Sequence, residues 1–564
     1  MKSIKNPIAW LPLVIAVSVA AGIWVGMEFD GRRNLSTAHQ KFSDILSLIQ
    51  NEYVDDVDLD SIIETTLPDL VSNLDPHSVY IPASALQAVN EDLDGSFSGI
   101  GISFTMFTDT ATVNEVIPGG PSEKAGLMPG DRIVTVDDSL VAGVEIPDRG
   151  LVKMLRGDKG TVVKLGIKRA TSKKLLNFEV VRGDIPVNTV DAAYMIADDT
   201  GYLKVNKFGR TTYNEFLTGM TKLMNQGAKR FVVDLRGNTG GFMEMAVLMA
   251  NEFLPANAPI VFTRGRTEMD NSSLFSDGTG SFRDAELVVL LDEYSASASE
   301  IFAGAMQDND RALIVGRRSF GKGLVQRQTT LPDSSAVRLT VSRYYTPSGR
   351  CIQKDYELGK RGDYDMDIIN RYDHGEFYDS DSIKLNLELE YRTIGGRKVY
   401  GGGGIMPDVF VPNDTSGITN YYINVLNAGL IQKFAFEYSD RNREALSKAK
   451  DLKQFLAILP SDDELLQQFV GYASQKGIPA RWYYINISHK LIVNYLKALI
   501  TSDILGREYY YQVMGTEDAT IRRAMKELQD GNAAVPIASK ELVEGHNGII
   551  YQKTSKQDEE GRYP

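Results

Sequence analysis

Between residues 184 and 412 the sequence alternates short apolar runs with longer helical patterns, and this alternation restricts the fold more than any other feature. The runs fall at 201–205, 231–235, 287–291 and 312–315, and the helical patterns between them at 212–226, 243–253 and 297–307. Strands this short and this apolar, alternating with helices, predict an α/β sheet. In such a sheet, ligand-bearing positions lie at the carboxyl ends of the strands. Three turns rich in glycine or small residues occur there: Arg236-Gly237-Asn238-Thr239-Gly240-Gly241, Ser295-Ala296-Ser297-Ala298-Ser299 and Phe320-Gly321-Lys322-Gly323.

The whole chain has 564 residues, more than one hydrophobic core can fill, which predicts several domains. In residues 1–30, Lys2 and Lys5 precede an almost uncharged run from 8 to 27, with Trp10 and Trp24 near its ends. About twenty apolar residues suffice for a membrane-spanning helix. The run predicts an exported chain, periplasmic and anchored to the inner membrane by this segment, with a cleaved signal peptide as the alternative. Residues 35–94 read as a helical module, with Phe42, Ile45, Leu46 and Ile49 on one apolar face and Ile62, Ile63, Leu67, Leu70 and Leu74 on another. Asp75-Pro76-His77-Ser78 interrupts it, and His77 reads as a turn residue. Residues 413–564 read as a helical extension. Its clusters Trp482-Tyr483-Tyr484 and Tyr509-Tyr510-Tyr511 are expected in the extension's own core. A formal net charge of −13 argues against nucleic-acid binding, and the single cysteine, Cys351, excludes an intramolecular disulfide.

Residues 95–183 are β-rich by pattern. Gly99-Ile100-Gly101-Ile102 opens an alternating strand, Pro121-Ser122-Glu123-Lys124-Ala125-Gly126-Leu127 precedes the turn Gly130-Asp131, and residues 148–156 read as a short helix. This order resembles a PDZ domain, with Gly99, Ile100, Gly101 and Ile102 where that family binds a peptide's terminal carboxylate. Backbone N–H groups converging at such a loop hold a carboxylate, while the next strand pairs with the peptide. The alternative is that Gly99 and Gly101 only relieve crowding at a strand entry.

Ser297 lies between the third apolar run and a helix, where free N–H groups favour developing negative charge. Ser297-x-x-Glu300 also spells a capping box, so the serine could be a plain helix cap. No histidine stands between His77 and His374, and Lys322 follows Ser297 by 25 residues. A lysine can act as base when burial lowers its pKa from about 10.4. The stretch from Gly316 to Lys322 matches a phosphate-binding loop as well, but Gly323 stands where Ser or Thr is needed and a strand pattern follows where a helix is required.

The segment from Ser295 to Gln326 resembles the active-site segment of the C-terminal processing proteases, also called tail-specific proteases. The likeness extends through the PDZ-like unit, the Asp234–Gly241 turn and Gly401-Gly402-Gly403-Gly404-Ile405-Met406-Pro407-Asp408. It implies an α/β (α+β multidomain) chain: N-terminal helical module, PDZ-like domain, α/β Ser/Lys protease core and C-terminal helical domain. It further implies Ser297 as nucleophile, Lys322 as general base, Gln326 as the residue positioning the lysine, and Asp308 as a further catalytic candidate. The oxyanion donors would be the N–H groups of Gly241 and Ala298, although Thr239 replaces the family's common proline. Neither a metal nor another cofactor is implied. The expected partners are protein or peptide substrates with apolar C-terminal tails, and a homo-oligomer is compatible with the sequence. A catalytically silent PDZ adaptor that binds protein C-termini is the alternative function.

Overall fold

The computed structural model describes residues 37–107, 109–169 and 171–533. The chain divides into two compact units, 1–71 and 72–564. In the first, the helices Thr37–Glu52 and Leu59–Ser72 form as expected, but Phe42 and Ile45 stand about half exposed and Val71 alone is buried. The expected membrane anchor requires correction. Among the described residues no helix is long and apolar enough to cross a membrane, and residues 1–30, on which anchoring and a periplasmic place rested, lie outside the described residues.

The second unit opens at the Asp-Pro-His-Ser turn. Asp75 accepts from the N–H groups of His77 and Ser78, and from the Ser78 hydroxyl at 2.5 Å, so its buried carboxylate fixes the turn. The following strand, Val79–Ile81, pairs antiparallel with the long strand Ala336–Tyr345. Residues 72–94 of the expected helical module therefore belong to this unit.

The β-rich domain is entered and left through a two-stranded ribbon, Ser96–Gly99 with Gly183–Pro186. Its antiparallel sheet runs Ile102–Phe107, Thr110–Val116, Arg132–Val136, Val162–Lys168, Leu176–Val181. Leu151 and Leu155 of the helix Asp148–Leu155 close its core against Val113, Ile133 and Val163. Ile102–Phe107 is an edge strand, which leaves a row of backbone groups open to a further strand.

The central sheet has six strands. Val190–Ala197 runs antiparallel to Thr200–Val205, and Arg230–Asp234, Glu286–Leu291, Leu313–Gly316 and Val409–Phe410 follow in parallel. Successive strand residues face opposite layers. Leu203, Val233 and Val289 pack with the helices Thr212–Asn225, Met243–Asn251 and Ala298–Asp308, where Phe216, Met249 and Phe302 are buried. Tyr202, Val232, Val288 and Leu290 face the other way, onto Ile521, Ala524 and Leu528 of the helix Ala519–Gln529. Burial on both faces is why the strands read as continuous apolar runs rather than as alternating ones. A second sheet holds Leu324–Thr330 against Ala336–Tyr345, beside Pro259–Gly265 and Ser272–Phe275.

The extension is helical from Asn420 to Gln529, with Phe434, Phe455, Phe469 and Leu496 in its core. The Trp482 cluster departs from expectation, because Trp482 is 47% and Tyr483 74% exposed. The helix Trp482–Ile487 has six residues and buries only Ile485, so one inward face cannot take all three rings.

Candidate active site

Ser297 sits between the strand Glu286–Leu291 and the helix Ala298–Asp308, with φ 56° and ψ −113°. A serine at positive φ is strained and persists only where its surroundings over-determine it. The chain here folds into a sharp turn because Ser295 Oγ donates to the Leu235 carbonyl at 2.9 Å and Ser299 Oγ to the Asn238 carbonyl at 2.8 Å, tying both flanks to the Arg236–Gly241 loop. That loop passes so close that a side chain at Gly240 would lie 2.7 Å from the Ala296 oxygen and 2.9 Å from the Ala298 nitrogen. Gly241 adopts φ 144°, and a Cβ there would meet the Phe208 oxygen at 2.2 Å. Among the described residues no hydrogen bond uses the Gly241 or Ala298 amide. Both remain able to donate to an oxyanion.

Lys322 lies just before the strand Leu324–Thr330, and Phe320 N–H donates to the Ser295 carbonyl at 3.0 Å, seating the lysine loop on the serine turn. The loop's other side rests on the glycine run, since Ser319 N–H donates to the Ile405 carbonyl at 3.0 Å and Ile405 N–H to Ser319 Oγ at 2.6 Å. Lys322 Nζ donates to Gln326 Oε1 at 3.1 Å, and Gln326 Nε2 donates to the His77 carbonyl. Burial lowers the Lys322 pKa from its usual value, and the Arg338 guanidinium adds to the effect against the raising influence of Glu300 and Asp75. His77 is held neutral, its pKa lowered to about 3 first by burial and then by Lys322, and its ring bonds the Tyr364 hydroxyl at 2.8 Å.

Ser297, Lys322, Gln326 and Gly241 line one open cavity of about 520 Å³, with Met243, Ile301 and Leu324 as apolar wall. Ala298 adjoins the serine. Among the described residues no hydrogen bond joins Lys322 Nζ to Ser297. Asp308 is not brought to this cavity. It occupies the opposite end of the serine helix, about 16 Å along the axis at 1.5 Å per residue. There its fully buried carboxylate pairs with Arg350 at 2.8 Å and accepts from Thr346 Oγ1, Ser348 N–H and Ser348 Oγ. Gly99, Ile100, Gly101 and Ile102 lie in the β-rich domain at the head of its edge strand, with Ile100 buried and Gly101 at φ 76°.

Two contributors escaped the sequence reading. The hydroxyl of Tyr344, buried in the long strand, shares its one proton between the carbonyl oxygens of Ser297 (3.1 Å) and Lys322 (2.7 Å). Glu300, read as a helix cap, accepts from Ser297 N–H at 2.8 Å, Lys322 N–H at 2.9 Å, Gly321 N–H at 2.7 Å and Ser319 Oγ at 2.5 Å. The Ser-x-x-Glu spacing was its only sequence signal.

Comparison with known proteins places these residues in context. Peptidase family S41 matches residues 199–365, a PDZ domain residues 98–181, and a family of unknown function residues 421–506. The carboxy-terminal-processing protease of Bartonella bacilliformis is 36% identical over 318 residues, covering 56% of this chain and 72% of that protein. The carboxy-terminal processing protease CtpB of Bacillus subtilis is 33% identical over 320 residues, covering 56% of this chain and 66% of its own. Among solved structures, the photosystem II D1 C-terminal processing protease aligns with a TM-score of 0.33 and 25% identity, over 67% of this chain and 94% of that one.

Proposed function

This chain belongs to peptidase family S41, as a PDZ-bearing member of the carboxy-terminal processing serine proteases, and on that premise we propose that it cleaves proteins recognised through their C-terminal tails by a Ser/Lys mechanism. The observation that carries the reading is that Ser297 and a buried Lys322 of lowered pKa line one cavity. Neutral Lys322 takes the Ser297 proton as Oγ attacks the peptide carbonyl carbon. The oxyanion accepts from Gly241 and Ala298 N–H. Lys322 then passes its proton to the leaving amine. It next removes one from the water that attacks the acyl-enzyme, and returns it to Ser297 as the product carboxylate leaves. Gln326 restricts the Nζ position, and Met243, Ile301 and Leu324 favour an apolar side chain beside the scissile bond.

In this reading the loop Gly99–Ile102 takes the substrate's terminal carboxylate, and the tail adds to the edge strand Ile102–Phe107. The test is cleavage of a protein with an apolar C-terminal tail by the full chain, alongside Ser297→Ala and Lys322→Ala. Loss in both variants with tail binding retained is expected. Equal cleavage by all three would sink the Ser/Lys assignment, and cleavage indifferent to amidation of the tail would sink the PDZ role.

A further inference from the structure

We propose that Glu300 is a positioning residue whose ionised carboxylate locks the serine turn and the lysine loop into one unit, making cleavage depend on a second deprotonated group besides Lys322. The proposal rests on the Ser/Lys reading above and adds to it. A capping-box glutamate ordinarily reaches back to the N-cap amide alone. Here Oε2 holds the amides of both Ser297 and Lys322, while Oε1 holds Gly321 N–H and Ser319 Oγ. Three of the four donors belong to the lysine loop, a segment that a helix cap has no reason to touch.

Each oxygen carries two donors, so the carboxylate has no spare acceptor position. A proton on either oxygen would place a donor against an N–H or O–H, releasing the amides of Ser297 and Lys322 or the loop that leads to the lysine. Tyr344 bridges the carbonyl oxygens of the same two residues from the other side. Ser297 and Lys322 are thereby held through their N–H groups by Glu300 and through their C=O groups by Tyr344. The strained φ of Ser297 needs such over-determination.

The charged and titratable groups facing Glu300 are Lys322 from its own loop, Lys354, Tyr344 and Tyr364. The glutamate is fully buried, which pushes its carboxyl up to about 7 against the opposing effect of its four donors. The ionised form is thus lost as pH falls through neutrality.

The experiment follows kcat and KM from pH 5 to 9 for the full chain, Glu300→Gln and Ser319→Ala, on the same tailed substrate, with thermal melting as control. Two required deprotonations give the wild type a limiting acid slope of 2 in log kcat/KM. Glu300→Gln puts an amide donor where an acceptor is needed. It should lower kcat on the order of 10²-fold, keep KM within about twofold because the cleft wall and PDZ loop are untouched, and reduce the slope to 1. Ser319→Ala removes one donor to the ionised form and should move the Glu300 break to higher pH. A Glu300→Gln profile that superimposes on the wild type, or an unmoved break in Ser319→Ala, overturns the proposal while leaving Lys322 as base. If Glu300→Gln loses its melting transition, the Ser319→Ala shift decides. Activity surviving in Lys322→Ala would instead overturn the Ser/Lys reading itself.

Discussion

Asp308→Asn separates a structural role for this aspartate from a catalytic one. Both Asp308 and its partner Arg350 are 0% exposed, and the aspartate carboxylate accepts from four groups. Neutralising it leaves the Arg350 guanidinium with Gln307 Oε1 at 2.7 Å and the Tyr400 carbonyl at 3.0 Å, neither of them charged, while its Nε has no acceptor. Removing one member of a buried ion pair costs about 3–5 kcal/mol. The two remaining acceptors argue for the lower end. A loss of about 3 kcal/mol corresponds to a fall of roughly 6–12 °C in melting temperature for a domain of 150–250 residues. Because Asp308 is about a helix length from Ser297, kcat/KM per folded molecule should stay within about threefold of wild type. Differential scanning calorimetry and active-site-normalised kinetics on the same sample provide both numbers. An unchanged melting temperature with activity down more than a hundredfold would refute the reasoning and return Asp308 to the chemistry.

The lowered Lys322 pKa predicts that kcat/KM rises with pH through it, and that Arg338→Gln, by removing a lowering cation, moves this limb to higher pH; a pH–rate profile reads the shift. A depressed lysine favours folding above its unfolded pKa of about 10.4 and loses that contribution as pH falls through the folded value. Lys322→Met should therefore be inactive yet melt higher than wild type at neutral pH, with the gap widening toward the folded pKa, and an equal or lower melting temperature would count against burial as the cause. Gly241→Ala would drive a Cβ to 2.2 Å from the Phe208 oxygen and turn the amide away, so kcat should drop about 10²–10³-fold with tail binding retained, measured by single-turnover cleavage. Asp518→Ala removes the acceptor of Thr520 and Ile521 N–H and the Arg236 partner at 2.8 Å, and should lower stability by about 1–2 kcal/mol in urea titration.

Much of the protease core is legible in the sequence because each segment's environment agrees with its local pattern. The runs at 231–235 and 287–291 emerge as Arg230–Asp234 and Glu286–Leu291, because strands buried on both faces permit almost nothing polar. Ser297 and Lys322 stand out through their small and glycine neighbours, which close packing of the two turns requires. Glu300 does not stand out, because its additional donors arrive from residues 319–322 and no local spacing encodes that meeting. The surroundings of Asp308 are hidden for a related reason. Its carboxylate pairs with Arg350, 42 residues away, and no local spacing encodes that pairing. Trp482 and Tyr483 mislead because aromatic content signals burial only when the helix has a face broad enough to turn inward.

The helix Ala519–Gln529 covers the face of the central sheet formed by Tyr202, Val232, Val288 and Leu290. During synthesis all the strands of that sheet have emerged by Phe410, about 110 residues before Ile521 leaves the ribosome, an interval of roughly 5–20 s at ordinary elongation rates. Throughout it the nascent sheet presents an uncovered apolar surface next to a serine and a lysine whose loops have already been made. Arg236, which opens the Gly240–Gly241 loop, gains Asp518 only when that last helix arrives. The order of translation thus withholds this support from the Gly240–Gly241 loop until Asp518 has been made.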